Sequence, residues 1–216
     1  MKKKVYSSNN SPVKDLEFLG LDLEKAENID DADILYLPGG SDVSPKMYGE
    51  KRVNVKTISD EYRDVKEFQL VTRALKRKIP IIGICRGAQF LTVMAGGSLV
   101  QNVDNHDKLH EIELYNGDVF PVTSSHHQMM YPYPINDKTK YEVLAWSKEK
   151  YSTKYEIIKD VELELDQEPE IVFYKDLNAI AIQCHPEYYY QPKGSNEKIA
   201  EIVFKTVLKD ENILVS

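Results

Sequence analysis

The chain has 216 residues, of which 42% are hydrophobic and 29% are charged, and its formal net charge is -7. This length is in the range of one α/β domain with its own core. The negative charge argues against a nucleic-acid partner, because phosphate binding needs clustered lysine and arginine side chains. The basic run Lys2–Lys4 is short, as is typical of a solvated surface.

Membrane and secretion signals are missing from the sequence. No stretch approaches about 18 consecutive apolar residues, and the start of the chain lacks the apolar region of a signal peptide. The two cysteines, Cys85 and Cys184, allow at most one disulfide. We therefore predict a cytoplasmic protein without membrane contact, in which these two thiols stay reduced.

The first half of the chain alternates short apolar runs with helix-periodic stretches, which indicates βα units and a mainly parallel sheet. Strands are predicted at Val5–Tyr6, Ile34–Leu37 and Pro80–Ile84. A helix is predicted over Asp60–Arg77, capped by Ser59 or Asp60. Its apolar residues recur at close to one helical face; they are Tyr62, Val65, Phe68, Val71 and Leu75.

A second helix is predicted from Ala88 to Met94, ending at Gly96–Gly97. From Ser98 to about Tyr174 the pattern changes to short β-like runs, which predict a small antiparallel insertion; they are Glu111–Leu114, Val119–Val122 and Tyr141–Leu144. Ala179–Ile182 is again a buried type of strand, and a last helix is predicted over Asn196–Leu208. Without a repeat or linker, residues 1–216 are predicted to form one domain.

Cys85 lies between an apolar strand and a helix, with Gly83 and Gly87 two residues away on either side. Small residues on both sides permit a sharp turn from which the Cys85 side chain would project above the sheet edge. There the positive end of the following helix favours a thiolate. The backbone N–H of Arg86 would be free to bind an oxyanion. The alternative is a buried structural cysteine.

A second motif follows the strand Ala179–Ile182, where Gln183 and Cys184 lead to His185, Pro186 and Glu187. Residues i and i+2 of an extended backbone lie on the same side, so Glu187 can orient the His185 imidazole as the base for a thiol. Alternation points Cys184 the other way, into the core. The alternative for His185 is a structural histidine at a strand end.

The two motifs, in this order, resemble the class I glutamine amidotransferase superfamily, and within it the γ-glutamyl-γ-aminobutyrate hydrolase (γ-glutamyl peptidase) branch. The resemblance extends over roughly Asp33 to Glu187. The matching segments are Leu37–Pro45 with Tyr48–Gly49, Arg63–Asp64 with Glu67, Gly83–Gln89, Gly96–Gln101, Ser124–Gln128 and Gln183–Glu187.

The resemblance implies a flavodoxin-like three-layer αβα sandwich. It also implies a triad of Cys85, His185 and Glu187, and an oxyanion hole made by backbone N–H groups of Arg86 and of the turn Gly39–Gly40. Gln89, Ser125 and His126 would contact the glutamyl end of the substrate; for Gln89 the alternative is an ordinary helix-surface glutamine. The family uses no cofactor.

The sequence departs from the family at several positions. The region before Pro38 is short, Cys184 replaces a common aromatic residue, and Thr92 and Thr123 replace common asparagines. The run Tyr188–Tyr190 is unfamiliar and would line the pocket mouth or simply pack. These differences leave the leaving-group specificity open.

Four histidines and one helical pair permit other interpretations. His106, His110, His126 and His127 do not have the spacing of a metal-ligand motif, so no metal is predicted in catalysis. Arg63 and Glu67 are one helical turn apart, as in an exposed ion pair; the alternative is that they brace the Cys85 turn.

Three functions follow from the sequence. The first is a stand-alone hydrolase of γ-glutamyl amides of small molecules, which acts through a thioester. The second is a glutaminase subunit that passes ammonia to a separate synthetase partner. The third is a non-catalytic binding protein on the same fold. The sequence leaves the oligomeric state open between a monomer and a homodimer.

Overall fold

The computed structural model describes residues 2–53, 56–158, 161–163 and 165–209. These residues form three α-helices and fourteen strands. The helices are α1 (Glu61–Arg77), α2 (Arg86–Met94) and α3 (Ser195–Val203), the last continuing as a π-helical turn over Phe204–Leu208. The strands are β1 (Lys3–Ser7), β2 (Leu23–Lys25), β3 (Ile34–Leu37), β4 (Ile81–Ile84), β5 (Ser98–Val100), β6 (Asn102–Val103), β7 (His110–Leu114), β8 (Val119–Val122), β9 (Met129–Tyr131), β10 (Tyr141–Ser147), β11 (Tyr155–Ile158), β12 (Val161–Glu162), β13 (Pro169–Tyr174) and β14 (Ala179–Ile182).

Nine strands form one central sheet in the order β2-β1-β3-β4-β14-β13-β10-β7-β8. The five strands from β2 to β14 pair in parallel. The remaining four continue the same sheet with antiparallel pairing. The predicted antiparallel insertion therefore extends the central sheet, because β13 forms a hairpin with β14 through the turn at Lys175–Asn178.

The sheet is the middle layer of three, because its strands bury side chains on both faces. One hydrophobic cluster joins Ile82 and Ile180 to Val203 of α3 and to Leu16 of a short 3₁₀ helix, Val13–Leu19. The opposite cluster joins alternate strand residues to α1 and α2. Continuous burial of β3, β4 and β14 explains their uninterrupted apolar sequences. The predicted αβα sandwich is confirmed.

Helix α1 has the predicted length, and the Asp60 side chain accepts a hydrogen bond from the N–H of Arg63 at 3.0 Å. The predicted apolar face is only partly confirmed, however: Val71 is fully buried and Leu75 packs against the core, but the first three residues of the face are exposed. Tyr62 is 82% exposed, and Val65 and Phe68 are also exposed. The buried residues are Arg63, Asp64, Glu67, Leu70, Val71 and Ala74. The helix turns the face that carries these charged residues toward the core, because their partners lie in the protein interior, as described below.

The other predicted strands and helices are present with bounds shifted by a few residues. Cys184 is fully buried in a hydrophobic cluster, and both cysteines are free thiols, as predicted. The single-domain assignment over residues 1–216 stays a prediction. Among the described residues, no helix has both the length and the apolar character needed to cross a bilayer.

Candidate active site

Three neighbouring parallel strands bring the predicted site residues to one edge of the sheet. β3, β4 and β14 are adjacent in the sheet, and their carboxyl ends point the same way. The turn Gly39–Gly40 follows β3, Cys85 follows β4, and His185 follows β14. The N–H of Cys85 donates to the carbonyl of Ile182 at 2.7 Å, which joins the ends of β4 and β14 directly. Ligand sites of open α/β sheets form at such carboxyl ends.

Cys85 occupies a strained turn at the start of α2. Its φ is 49° and its ψ is -106°, a region that non-glycine residues rarely adopt. The flanking glycines serve close packing. A Cβ on Gly87 would lie 1.9 Å from the carbonyl oxygen of Leu37, and one on Gly83 would lie 2.7 Å from the backbone of Gly87. The glycines therefore let β4, α2 and β3 approach each other, while Cys85 itself takes the unusual backbone conformation.

His185 is oriented by a carboxylate and covered by an aromatic ring. Its Nδ1 lies 2.7 Å from Oε1 of Glu187, and the ring of Tyr188 stacks on the imidazole with centroids 4.3 Å apart. A Cβ on Gly39 would lie 3.4 Å from Cε1 of His185 and 3.6 Å from Cβ of Cys85. The imidazole and the thiol side chain therefore border the same glycine.

The charge of His185 depends on both neighbours. Burial disfavours the imidazolium, but interactions with Cys85 and Glu187 outweigh burial and raise the pKa of His185 to about 10. An imidazole that keeps its proton at neutral pH can stabilise a thiolate beside it. Between the two side chains the geometry thus permits a thiolate–imidazolium pair.

The backbone of His185 is held by a residue that sequence reasoning noted only as a departure. The Thr123 hydroxyl lies 2.6 Å from the carbonyl oxygen of His185 and can donate to it, and the His185 N–H donates to the carbonyl of Thr123 at 3.0 Å. The Thr123 N–H also donates to Oε1 of Gln191 at 2.9 Å. Tyr188, from the run that the sequence analysis called unfamiliar, stacks on the His185 ring, whereas Tyr189 is 98% exposed. In the sequence, only the position of Tyr188 directly after the His-Pro-Glu motif could have indicated that its ring covers the imidazole.

Arg63 determines which way the turn Gly39–Gly40 faces. Its Nη2 donates to the carbonyl of Pro38 at 2.6 Å and its Nη1 to the carbonyl of Gly39 at 3.0 Å. In a planar trans peptide the N–H points opposite to the C=O. The N–H groups of Gly39 and Gly40 therefore point away from Arg63, and neither has an acceptor among the described residues. These are the donors that the sequence assigned to an oxyanion hole, together with the N–H of Arg86.

Four buried charges lie beneath the turn and the Cys85 elbow. Arg86 contacts Asp64 and Glu67, and Arg63 donates from Nε to Glu67 at 2.8 Å. All four side chains are at most 7% exposed, and two positive charges match two negative ones. The exposed ion pair considered for Arg63 and Glu67 is thus wrong, and the bracing alternative agrees with the structure.

A cavity of about 330 Å³ opens beside Cys85 and contains all three predicted substrate-binding residues. Gln89 is 2% exposed, and its amide donates to the carbonyl of Gln128 at 2.8 Å. It is therefore not an ordinary helix-surface glutamine. Ser125 and His126 also line this cavity. A larger cleft of about 450 Å³ lies between β10 and the helix α3, and shares no lining residue with it.

The far wall of the cavity carries charges of both signs. Nε2 of His127 lies 3.1 Å from the carboxylate of Asp42, and Lys56 also lines the wall. The sequence did not single out Asp42, although it belongs to the segment Leu37–Pro45 that carries the resemblance. A zwitterionic group could find oppositely charged partners here.

His106, His110 and His126 lie close together in the structure, although their spacing in the sequence is not that of a metal-ligand motif. His106 stacks on His126 with ring centroids 4.6 Å apart, and Nε2 of His110 lies 2.9 Å from Glu170. One nitrogen each of His106 and His126 and a carboxylate oxygen of Glu170 lie within 4.8 Å of one another. These three residues have the ligand types of a metal site. The prediction that no metal takes part in catalysis stays a prediction.

The chain is similar in sequence to known proteins. The model of a family described as peptidase C26 matches residues 19–133. A glutamine amidotransferase-like protein, YvdE, of Lactococcus lactis is 30% identical over 196 residues, which cover 84% of this chain and 79% of that protein. The γ-glutamyl-γ-aminobutyrate hydrolase of Escherichia coli O157:H7 is 42% identical over 80 residues, which cover 37% of this chain and 31% of the hydrolase.

A solved structure shows that the fold is shared along nearly the whole chain. The structure of PurLQS from Thermotoga maritima superposes with a TM-score of 0.63 and covers 97% of this chain and 99% of the matched one. The sequence identity of this pair is 17%. The similarity therefore concerns the fold.

Proposed function

Because the chain belongs to the peptidase C26 family, we propose that it hydrolyses γ-glutamyl amide bonds of a small molecule. Cys85 is the nucleophile, His185 the general base and acid, and Glu187 the carboxylate that orients His185. One observation carries this proposal: a strained cysteine and a carboxylate-bound histidine border the same glycine at the carboxyl edge of the sheet. The γ-glutamyl-γ-aminobutyrate hydrolase among the similar proteins supports the choice of substrate class.

In the first half of the reaction, the Cys85 thiolate attacks the γ-carbonyl carbon and a C–S bond forms. The N–H groups of Arg86 and of the turn Gly39–Gly40 donate to the developing oxyanion, and each such donor typically contributes about 100- to 1,000-fold in rate. His185 gives its proton to the leaving amine as the C–N bond breaks. A thioester and neutral imidazole remain.

In the second half, neutral His185 accepts a proton from water, whose oxygen attacks the thioester carbonyl. The C–S bond breaks, and the thiolate and imidazolium are restored. The new γ-carboxyl group releases the second proton of the water to solvent, and glutamate leaves as a carboxylate. Glu187 holds Nδ1 throughout, so that Nε2 faces the reacting atoms. The reaction consumes one water and needs no electron transfer.

The cavity beside Cys85 has the chemistry that a glutamyl group requires. Its α-ammonium and α-carboxylate are opposite charges, and the wall offers Asp42, His127 and Lys56. We assign Gln89, Ser125 and His126 to the segment between these charges and the thiol, because all three line the same cavity.

A second candidate function is a glutaminase subunit that passes ammonia to a separate synthetase partner. The exposed apolar side chains of Tyr62, Val65 and Phe68 on α1 support it, since contiguous exposed apolar residues are typical of protein interfaces. In this case glutamine is the substrate, and the same thiol and imidazole act on it.

A panel of γ-glutamyl amines, with glutamine among them, tests both candidates. We expect Cys85→Ala to lower turnover of the best substrate by roughly 10⁴-fold or more. Cys184→Ala is the matched control, because it removes the other thiol from the core, on the opposite side of the strand from His185. It should retain turnover.

The outcome of the panel separates the alternatives. Full turnover by Cys85→Ala would refute the nucleophile assignment. Glutamine as the preferred substrate would favour the glutaminase subunit over the stand-alone hydrolase. Absence of turnover with every amide in the wild-type protein would favour a non-catalytic binding protein.

A further inference from the structure

Three histidines and two glutamates form a cluster beside the substrate cavity, and all of them except the half-buried His126 are buried. His106 follows β6, His110 begins β7, His126 lies between β8 and β9, and Glu168 and Glu170 come from the start of β13. His106 and His110 are at most 4% exposed, and the two glutamates at most 1%. Three stretches of the chain, 106–110, 126 and 168–170, thus place titratable groups in one site.

Hydrogen bonds satisfy one of the two carboxylates and not the other. Glu168 accepts from the N–H groups of Tyr151 and Ser152 and from the Tyr155 hydroxyl, at 2.8–3.1 Å. By contrast, Oε2 of Glu170 has no hydrogen-bond partner among the described residues. Buried polar groups in native proteins are almost always paired.

Two imidazoles beside Glu170 also lack hydrogen-bond partners. Both ring nitrogens of His106 and both of His126 are buried without a hydrogen bond of normal geometry to another described residue. His106 is itself about 1% exposed, so bulk water cannot supply the missing partner. His106, His126 and Glu170 therefore place potential ligand atoms close together, and the ring nitrogens and Oε2 of Glu170 lack a normal hydrogen bond to the described residues.

We propose that His106, His126 and Glu170 bind a divalent transition-metal ion of the zinc class. Their ligand atoms lie within 4.8 Å of one another, and ligands around tetrahedral zinc, with bonds of about 2.0–2.1 Å, lie roughly 3.4 Å apart. Small side-chain rotations would close the difference. Two imidazoles with one carboxylate suit zinc, cobalt or iron, whereas calcium and magnesium prefer oxygen ligands throughout.

The neighbouring groups are placed as supporting partners for such a site. Nε2 of His106 lies 3.3 Å from Glu168, and Nδ1 of His106 lies 3.9 Å from Oε1 of Glu170. Metal-bound histidines commonly face a carboxylate with their other nitrogen, which fixes the ring. Nε2 of His110 holds Oε1 of Glu170 at 2.9 Å, which leaves Oε2 for the ion.

The site is separate from the thiol but shares one residue with the substrate cavity. His126 lines that cavity, and its N–H donates to the carbonyl of His106 at 3.0 Å. An ion bound behind His126 would fix this wall of the cavity. The proposal itself does not depend on the hydrolase assignment, because it concerns ion binding alone.

Binding is tested with Zn²⁺ and Co²⁺ on full-length Cys85→Ala protein, which removes the active-site thiol as a competing ligand. We expect one ion per chain, a visible d–d absorption from Co²⁺ without thiolate charge transfer, and a rise in Tm of roughly 5–10 °C when the free ion is at 100 times Kd. His106→Ala and Glu170→Gln should each raise Kd by more than roughly 100-fold. Glu168→Gln should raise it by about 10- to 100-fold.

His127→Ala is the matched control, because His127 is the neighbour of His126 but faces Asp42. The variant should bind the ion with the same Kd as the Cys85→Ala parent protein. Equal Kd values for the parent, His106→Ala and Glu170→Gln would overturn the proposal. So would the absence of any Co²⁺ d–d absorption in the parent protein, a result that does not depend on whether the variants fold. Glu170→Gln keeps the shape of the side chain and limits disturbance of the core.

Discussion

Arg63 and Arg86 are bound to the same buried carboxylate, that of Glu67. Oε1 of Glu67 accepts from Nε of Arg63 at 2.8 Å, and Oε2 accepts from Nη1 of Arg86. Arg63 holds the turn that contains Gly39 and Gly40, whereas Arg86 directly follows Cys85. Through Glu67, the two backbone segments that would stabilise an oxyanion are therefore fixed relative to each other.

Arg63→Lys tests this connection. A lysine has a compact ammonium group in place of the planar fork that reaches both Pro38 and Gly39, so the turn should lose its orientation. We expect kcat to fall by roughly 100-fold, the size of a lost oxyanion donor, with a smaller change in KM. The measurement is steady-state kinetics on the best substrate of the panel.

Arg73→Lys is the matched control on the same helix. The Arg73 side chain is 51% exposed and pairs with Asp30 on the surface, so kcat should not change. An Arg63→Lys protein that folds and keeps the kcat of the wild type would show that the turn is held without the guanidinium.

The pH dependence of turnover tests the role of Glu187. Burial lowers the pKa of His185, but Cys85 and Glu187 raise it to about 10, so the protonated imidazole needed by the leaving amine should persist well above the ordinary value of about 6.5. We expect the alkaline limb of kcat/KM near pH 10 in the wild type. Glu187→Gln removes a negative charge that favours the imidazolium, so the limb should move to lower pH.

The raised pKa of His185 also makes the free energy of unfolding depend on pH. A pKa raised on folding stabilises the native state fully below about pH 6.5, and this contribution is lost as pH rises through about 10. The free-energy difference of unfolding between wild type and Glu187→Gln should therefore shrink over that window. Glu197→Gln, a change at the surface start of α3, should leave both profiles unchanged; an unmoved limb in Glu187→Gln would contradict the assignment.

Two glycine substitutions should separate folding from catalysis. In Gly87→Ala the new methyl group would lie 1.9 Å from the carbonyl oxygen of Leu37, and backbone atoms cannot yield cheaply. We expect a loss of stability of about 3 kcal/mol or more. In Gly39→Ala the methyl group would lie 3.4 Å from His185 and 3.6 Å from Cys85, so the protein should fold.

The Gly39→Ala protein should nonetheless lose turnover, because the methyl group occupies the space between the thiol and imidazole that the substrate carbonyl must enter. Denaturant unfolding and steady-state kinetics of both variants measure the two effects. A Gly39→Ala enzyme with wild-type kcat/KM would place the reacting carbonyl elsewhere. A Gly87→Ala protein with unchanged stability would mean that β3 and α2 can separate.

Local sequence was sufficient for the elements that end at the site. The apolar runs of β4 and β14 stop at Cys85 and shortly before His185, and alternation along an extended chain brought Glu187 to the side of His185. These features depend only on residues that are neighbours in the sequence, so they can be predicted without knowledge of the fold. Sequence also placed Cys184 in the core for the same reason.

The orientation of α1 depended on the fold. By periodicity alone, Tyr62, Val65 and Phe68 should be buried, but the helix buries Arg63, Asp64 and Glu67. Their partners, Arg86 and the carbonyls of Pro38 and Gly39, come from other segments. A buried charge is tolerated only when such partners surround it, and periodicity does not contain them.

The sequence by itself identified the residues to which we assign the chemistry: a cysteine between glycines, and a histidine two residues from a glutamate. Tertiary structure alone decided which of these groups meet, because the order β3-β4-β14 aligns strand ends that are up to about 150 residues apart in the chain. It also gathered His106, His126 and Glu170, whose spacing in the chain predicts no site. Local spacing encodes how neighbours are oriented, whereas proximity of distant residues is encoded only in the packing of the whole sheet.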